Sequence, residues 1–190
     1  MRANFDNKLS ELNKKLLSMA AMTEQIIAMS IKSLEEQNTK LARETVEFDA
    51  KINEAEREVE RICLNLLLQQ QPVFAEDLRR VSAALKMITD MERIGDQAFD
   101  ISDITKHVSF QKYESKVHIK EMANAVIYMV TDSVDSYVKK DAALAKKVAA
   151  ADDQVDDLFL KVRSELVELV RSNQDMAEGA LDLMMIAKYL

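Results

Sequence analysis

Residues 87–103 read Met87-Ile88-Thr89-Asp90-Met91-Glu92-Arg93-Ile94-Gly95-Asp96-Gln97-Ala98-Phe99-Asp100-Ile101-Ser102-Asp103, and two stripes run through them. Met87, Met91, Ile94, Ala98 and Ile101 recur at steps of four and three, the spacing that puts side chains on one face of an α-helix. Glu92, Asp96, Asp100 and Asp103 follow at steps of four, four and three, so a column of carboxylates climbs the same helix beside its apolar face. Like charges one turn apart cost an isolated helix about 0.2–0.5 kcal/mol per pair. The column therefore has two physical readings: a face solvated by water, or a face that shares a cation.

Outward from this stretch, composition sets the fold class. The 190 residues include 2 Gly and 1 Pro, with 5% aromatic and 31% charged side chains, and so lack the turn formers and β-branched runs that sheets need. The chain should be all-α. A net charge of −7 and a pI near 5.0 argue against nucleic acid as a partner, because phosphate backbones are held by basic stripes. An acidic surface suits divalent cations or basic protein patches instead. The single cysteine, Cys63, excludes an intramolecular disulfide and a Cys-rich zinc site, and its place on an apolar stripe makes it a small core residue. No uninterrupted apolar run is present, so neither a signal peptide nor a membrane span is expected, and the expected location is the cytoplasm.

Amphipathic stretches fill the chain. Phe5, Leu9, Leu12, Leu16, Met19, Ile26, Met29 and Leu34 mark a first helix up to about Gln37, roughly 50 Å long at 1.5 Å per residue. Asn38 and Thr39 offer caps for a second, through Leu41, Thr45, Phe48, Ile52, Val59, Ile62 and Leu66. Pro72 breaks it and a third helix follows, carrying the opening stretch until the pattern fades after His107. Residues 109–115 read as a linker between a first unit, 1–108, and a second, 116–190. Then the pattern restarts. Ser33 to Ala42 lies against Ser136 to Ala145 at a constant offset of 103 residues, and the same offset pairs Asp49-Ala50-Lys51-Ile52-Asn53 with Asp152-Asp153-Gln154-Val155-Asp156. The expectation is two tandem three-helix bundles, six helices in all. Asn173-Gln174-Asp175 reads as a loop before a sixth helix from Ala180. Its last residues correspond to Lys86 to Met91, so the expectation is a sixth helix truncated, by several turns, just before a second copy of the acidic stretch.

Several motifs in order now resemble the PhoU family: Asp49-x-x-Ile52-Asn53, Gln69-Gln70-Gln71-Pro72-Val73 followed by Asp77-Leu78-Arg79, Ala84-Leu85-Lys86-Met87, the run Met91 to Asp96, and Asp152-x-x-Val155-Asp156. The resemblance covers essentially the whole chain. It implies a cytoplasmic, homodimeric, non-enzymatic regulator of phosphate homeostasis. Such a regulator modulates the phosphate ABC transporter and represses the phosphate-starvation regulon by linking the transporter's ATPase subunit to a sensor histidine kinase. It would reach the membrane only through these partners. Some members of the family hold iron or another divalent ion such as manganese, magnesium or zinc and others carry no metal, so the resemblance implies candidate metal sites. Carried over by position, Glu92 and Asp96 face Asp49 and Asn53, while the second site keeps only Asp152 and Asp156. Gln97 stands where the family usually has a histidine.

The acid columns alone allow a second function, a metal-binding bundle with a storage or structural role. The Glu-x-x-His pattern of di-iron bundles is absent, however. His107 and His118 flank the linker and read as surface residues. No Gly-rich phosphate loop and no Ser/His/Asp set is legible, so the sequence shows no catalytic machinery.

Overall fold

The computed structural model describes residues 2–69, 74–107 and 117–190. Among them are six α-helices: α1 (Arg2–Glu35), α2 (Thr39–Gln69), α3 (Ala75–His107), α4 (Ile119–Lys139), α5 (Ala142–Ser172) and α6 (Ala177–Tyr189). The all-α expectation holds. The Pro72 break and the 109–115 linker lie outside the described residues.

The repeat extends to individual hydrogen bonds. α1 ends with Gln37 in the left-handed region, φ 50°, and the Asn38 N–H donates to the Ser33 carbonyl at 2.9 Å. α4 ends with Lys140 at φ 56°, and the Asp141 N–H donates to the Ser136 carbonyl at 2.8 Å. Both are the reach-back bond that satisfies orphan carbonyls at a helix end. The next helix starts on the same residue each time. Asn38 Oδ1 accepts from the Leu41 N–H at 3.0 Å, and Asp141 Oδ1 from Ala143 and Leu144 at 2.9 and 3.0 Å. One side chain thus caps the new helix while its own backbone N–H closes the old one.

α1 is the central element. Leu12, Leu16, Met19 and Ile26 are fully buried, and the helix packs against α2, α3 and α4. Thr23, Ser30 and Ser33 are also buried on it, and each hydroxyl donates to a carbonyl one turn back, at 3.0, 2.8 and 2.7 Å. α6 packs on α5 and on α3, and the buried side chains of both repeats form one continuous cluster. Between the repeats α1 and α4 run antiparallel. Glu24 accepts from Thr131, the counterpart of Ala28, at 2.8 Å, and Glu35 pairs with Lys120, the counterpart of Leu17, at 2.9 Å. Both pairs centre on Ile26 and its counterpart Met129, as a two-fold axis between the repeats requires.

Three local expectations change. The Asn173 side chain accepts from the Asp175 N–H at 3.1 Å and starts a single 3-10 turn, Gln174–Met176, in place of an open loop. That capping lets α6 begin at Ala177, three residues earlier than the apolar spacing suggested. His118 is not a plain surface residue: its backbone N–H donates to Glu165 Oε2 at 3.1 Å, and its Nδ1 lies 2.5 Å from Glu165 Oε1, an ion contact without hydrogen-bond alignment. It ties α4 to α5 much as Lys15, at the equivalent position, ties α1 to α2 through Glu58 at 2.8 Å. The His107 side chain lies outside the described residues.

Candidate functional site

α2 and α3 meet where α3 carries its one glycine. A Cβ at Gly95 would lie 3.1 Å from Asp49 Oδ1 and 3.2 Å from Ile52 Cδ1. Gly costs a helix interior about 1 kcal/mol relative to Ala, and here it lets an acidic side chain of α2 approach the backbone of α3. Ile52 is fully buried beneath it. Asp49 sits half-buried beside it, held from its other side by the Asn53 amide, which donates to Asp49 Oδ2 at 2.8 Å. Asp49 Oδ1 is buried with no hydrogen-bond partner.

The acids along this seam act on one another through their charges. Burial, then Asp96, pushes the Asp49 carboxyl above the usual range, against the lowering effect of Asn53. Burial, then Asp96, Glu56 and Asp49, raises Glu92, with Arg93 working against the shift. Burial, then Asp96 and Asp103, raises Asp100. The structure therefore places Asp49, bonded to Asn53 on α2, within electrostatic reach of Glu92 and Asp96 on α3, without closing the acids into one group. It adds Glu56 from α2, two turns beyond Asp49, and Asp100 from the next turn of α3. It does not join Asp152 and Asp156 to them: both are exposed on α5, in the other repeat.

Asp96 acts on all three raised groups, which gives a direct test. A carboxyl whose folded pKa exceeds its unfolded value binds its proton more tightly in the folded state. Its contribution to stability grows as pH falls through the raised value and levels off below the ordinary 3.8 of Asp or 4.5 of Glu. Asp96→Asn should move the titrations of Asp49, Glu92 and Asp100 downward together, followed by carboxyl-carbon NMR, and flatten this rise in stability between neutral and mildly acidic pH. At neutral pH the variant should gain about 0.2–0.5 kcal/mol per like-charged pair removed. Unmoved titrations would assign the shifts to burial and the remaining acids.

The donor set is all oxygen, which suits Mg²⁺ or Mn²⁺, tolerates iron, and lacks the nitrogen or sulfur ligands that zinc favours. In donor chemistry the residues fit a hard cation, and the partnerless Asp49 oxygen is the atom it would satisfy. In arrangement they offer pairs: among the described residues no three Asp, Glu, His or Cys side chains stand close enough together to hold an ion.

Fold and acidic cluster together define a duplicated helical-bundle protein with a carboxylate-lined seam between its second and third helices. The PhoU domain model matches residues 16–105 and 119–190, one stretch in each repeat, and the chain belongs to the PhoU family. It is 33% identical over 190 residues to a phosphate-specific transport system accessory protein PhoU homolog of Clostridium acetobutylicum, covering all of this chain and 87% of the relative. A homolog of the same description from Aquifex aeolicus is 32% identical over 186 residues, covering 96% and 82%. The crystal structure of PhoU from Pseudomonas aeruginosa superposes with a TM-score of 0.89 at 26% identity, over 97% of this chain and 89% of that one.

Proposed function

We propose that the protein is a non-catalytic regulator of phosphate homeostasis. On this reading it modulates uptake by a phosphate ABC transporter and represses the phosphate-starvation regulon by linking the transporter's ATPase subunit to a sensor histidine kinase. The observation that carries the reading is family membership across both repeats, with relatives named as accessory proteins of a phosphate-specific transport system. The cytoplasm and a homodimer belong to the same proposal. Among the described residues no helix is long and apolar enough to cross a membrane, which fits access to the bilayer through partners.

To hold a divalent cation in this role, Asp49, Asn53, Glu92 and Asp96, with Glu56 beside them, would have to close upon it, because among the described residues no three acids stand close enough to bind an ion. The ion would neutralise the clustered carboxylates and fix α2 against α3. Asp152 and Asp156 would contribute only when ligands from elsewhere meet them. The partnerless Asp49 oxygen supports this assignment, and it is also what a storage or structural metal protein would need. Calorimetry of the protein with its own organism's phosphate-transporter ATPase, with and without Mn²⁺ or Mg²⁺, separates the two. Binding that strengthens at least several-fold with metal, a gain lost in Glu92→Gln/Asp96→Asn, is the expected result. Metal binding with no ATPase binding would favour the storage reading, and metal-independent ATPase binding would return the acids to a solvated face.

A further inference from the structure

Among the differences between the two repeats, one opens a space on the outer face. In the first repeat, Met22 on α1 and Phe48 on α2 are half-buried and pack against the core. Lys51 stands one turn beyond Phe48 with its ammonium 4.7 Å from the ring centroid, within cation–π range. At the fixed repeat offset, Ala125 replaces Met22 and Ala151 replaces Phe48. Two large-to-small changes thus coincide, one on α4 and one on α5. Between these helices lies a groove of 470 Å³ lined by Ala125, Tyr128, Met129, Val148, Ala151 and Leu158. Tyr128 at its edge is 71% exposed.

The geometry points to this groove as the seat for a helix of a partner protein, one that carries a large apolar side chain, aromatic by preference, with Lys or Arg one turn away. The first repeat supplies the pattern: an aromatic ring fills the space between two helices and a cation covers it. Charge selects the flanks. Glu121 and Asp132 stand at the α4 side of the groove, with Lys147 the cation among its lining residues. A basic helix is steered to such a surface and an acidic one is repelled. Presentation of anchors along one helix face in an apolar groove is an established mode of recognition.

The test uses the whole chain and a 16-residue helical peptide of Ala and Lys with one central Phe, beside a control with Ala in place of the Phe. Amide NMR should show the Phe peptide perturbing Ala125, Tyr128 and Ala151, with the control at least tenfold weaker. Ala151→Phe refills the groove from within and should weaken the Phe peptide about tenfold while raising Tm. Glu121→Lys, at an exposed position, should weaken it in a folded protein and carries the test if Ala151→Phe does not fold. Equal binding of the two peptides, binding that neither variant weakens, or free benzylammonium binding as tightly as the peptide would overturn the assignment.

Discussion

Val162→Asp should lower stability by about 4–5 kcal/mol, the range reached when an unpaired charge is forced into a packed core. Val162 is fully buried, and with Leu166 it makes up the whole set of α5 residues that solvent does not reach. Val162 belongs to one buried cluster with Leu183 and Ile186 of α6, and the partly buried Val155, Leu158, Phe159, Leu169 and Val170 of α5 pack against that cluster. An unpaired charge at this position should release α5 and α6 before the first repeat. Hydrogen exchange is the decisive measurement, because it reports opening element by element. Protection should collapse in α5 and α6 and persist in α1 to α3. Uniform loss across all six helices would show that the shared core unfolds as a single unit.

Gly95→Leu is the second large effect, about 2–3 kcal/mol of destabilisation. The contacts a Cβ would make, 3.1 Å to Asp49 Oδ1 and 3.2 and 3.4 Å to the Cδ1 and Cγ2 of Ile52, are tight but fall on side-chain atoms. For Ala, a shift of a few tenths of an ångström offsets a helix-propensity gain of about 1 kcal/mol, and Gly95→Ala should be close to neutral. Leu adds three more carbons where α2 leaves no room, and overpacking of this kind costs about 1–3 kcal/mol. It should also push Asp49 into water, so its raised carboxyl titration should fall back toward the ordinary Asp range. Urea unfolding and the Asp49 titration, measured together, check both halves of the argument. A Leu variant as stable as the Ala variant would mean that α2 and α3 spread apart at little cost.

Most of the helical frame is legible in the residues because it is written as periodic apolar spacing with caps at Asn38 and Asp141. The offset between repeats is legible for the same reason, and the structure repeats it down to matching left-handed residues at Gln37 and Lys140. The acidic site was readable only in part. Asp49, Asn53, Glu92 and Asp96 are named by motif, whereas Glu56 is one of several glutamates on α2, and nothing local marks it as the one that turns toward α3. His118 and Glu165 are 47 positions apart, and their contact is created by the packing of α4 on α5. The groove was invisible for another reason. Ala125 and Ala151 are ordinary helix residues, and missing volume leaves no periodic trace.

The antiparallel seam of α1 against α4 places the two copies about a pseudo-two-fold axis, the arrangement of a symmetric dimer. In a dimer of identical chains every substitution lands twice, so a groove opened on one side opens on the other. Covalent fusion removes that constraint. Once both copies lie on one chain, one can keep Phe48 and its filled groove while the other exchanges the aromatic for Ala151 and exposes a recess. Each chain thus presents a single recess on a symmetric scaffold. Joining the repeats therefore makes inheritable asymmetry possible: within one chain a partner meets one recess and one orientation where two identical repeats would have offered two.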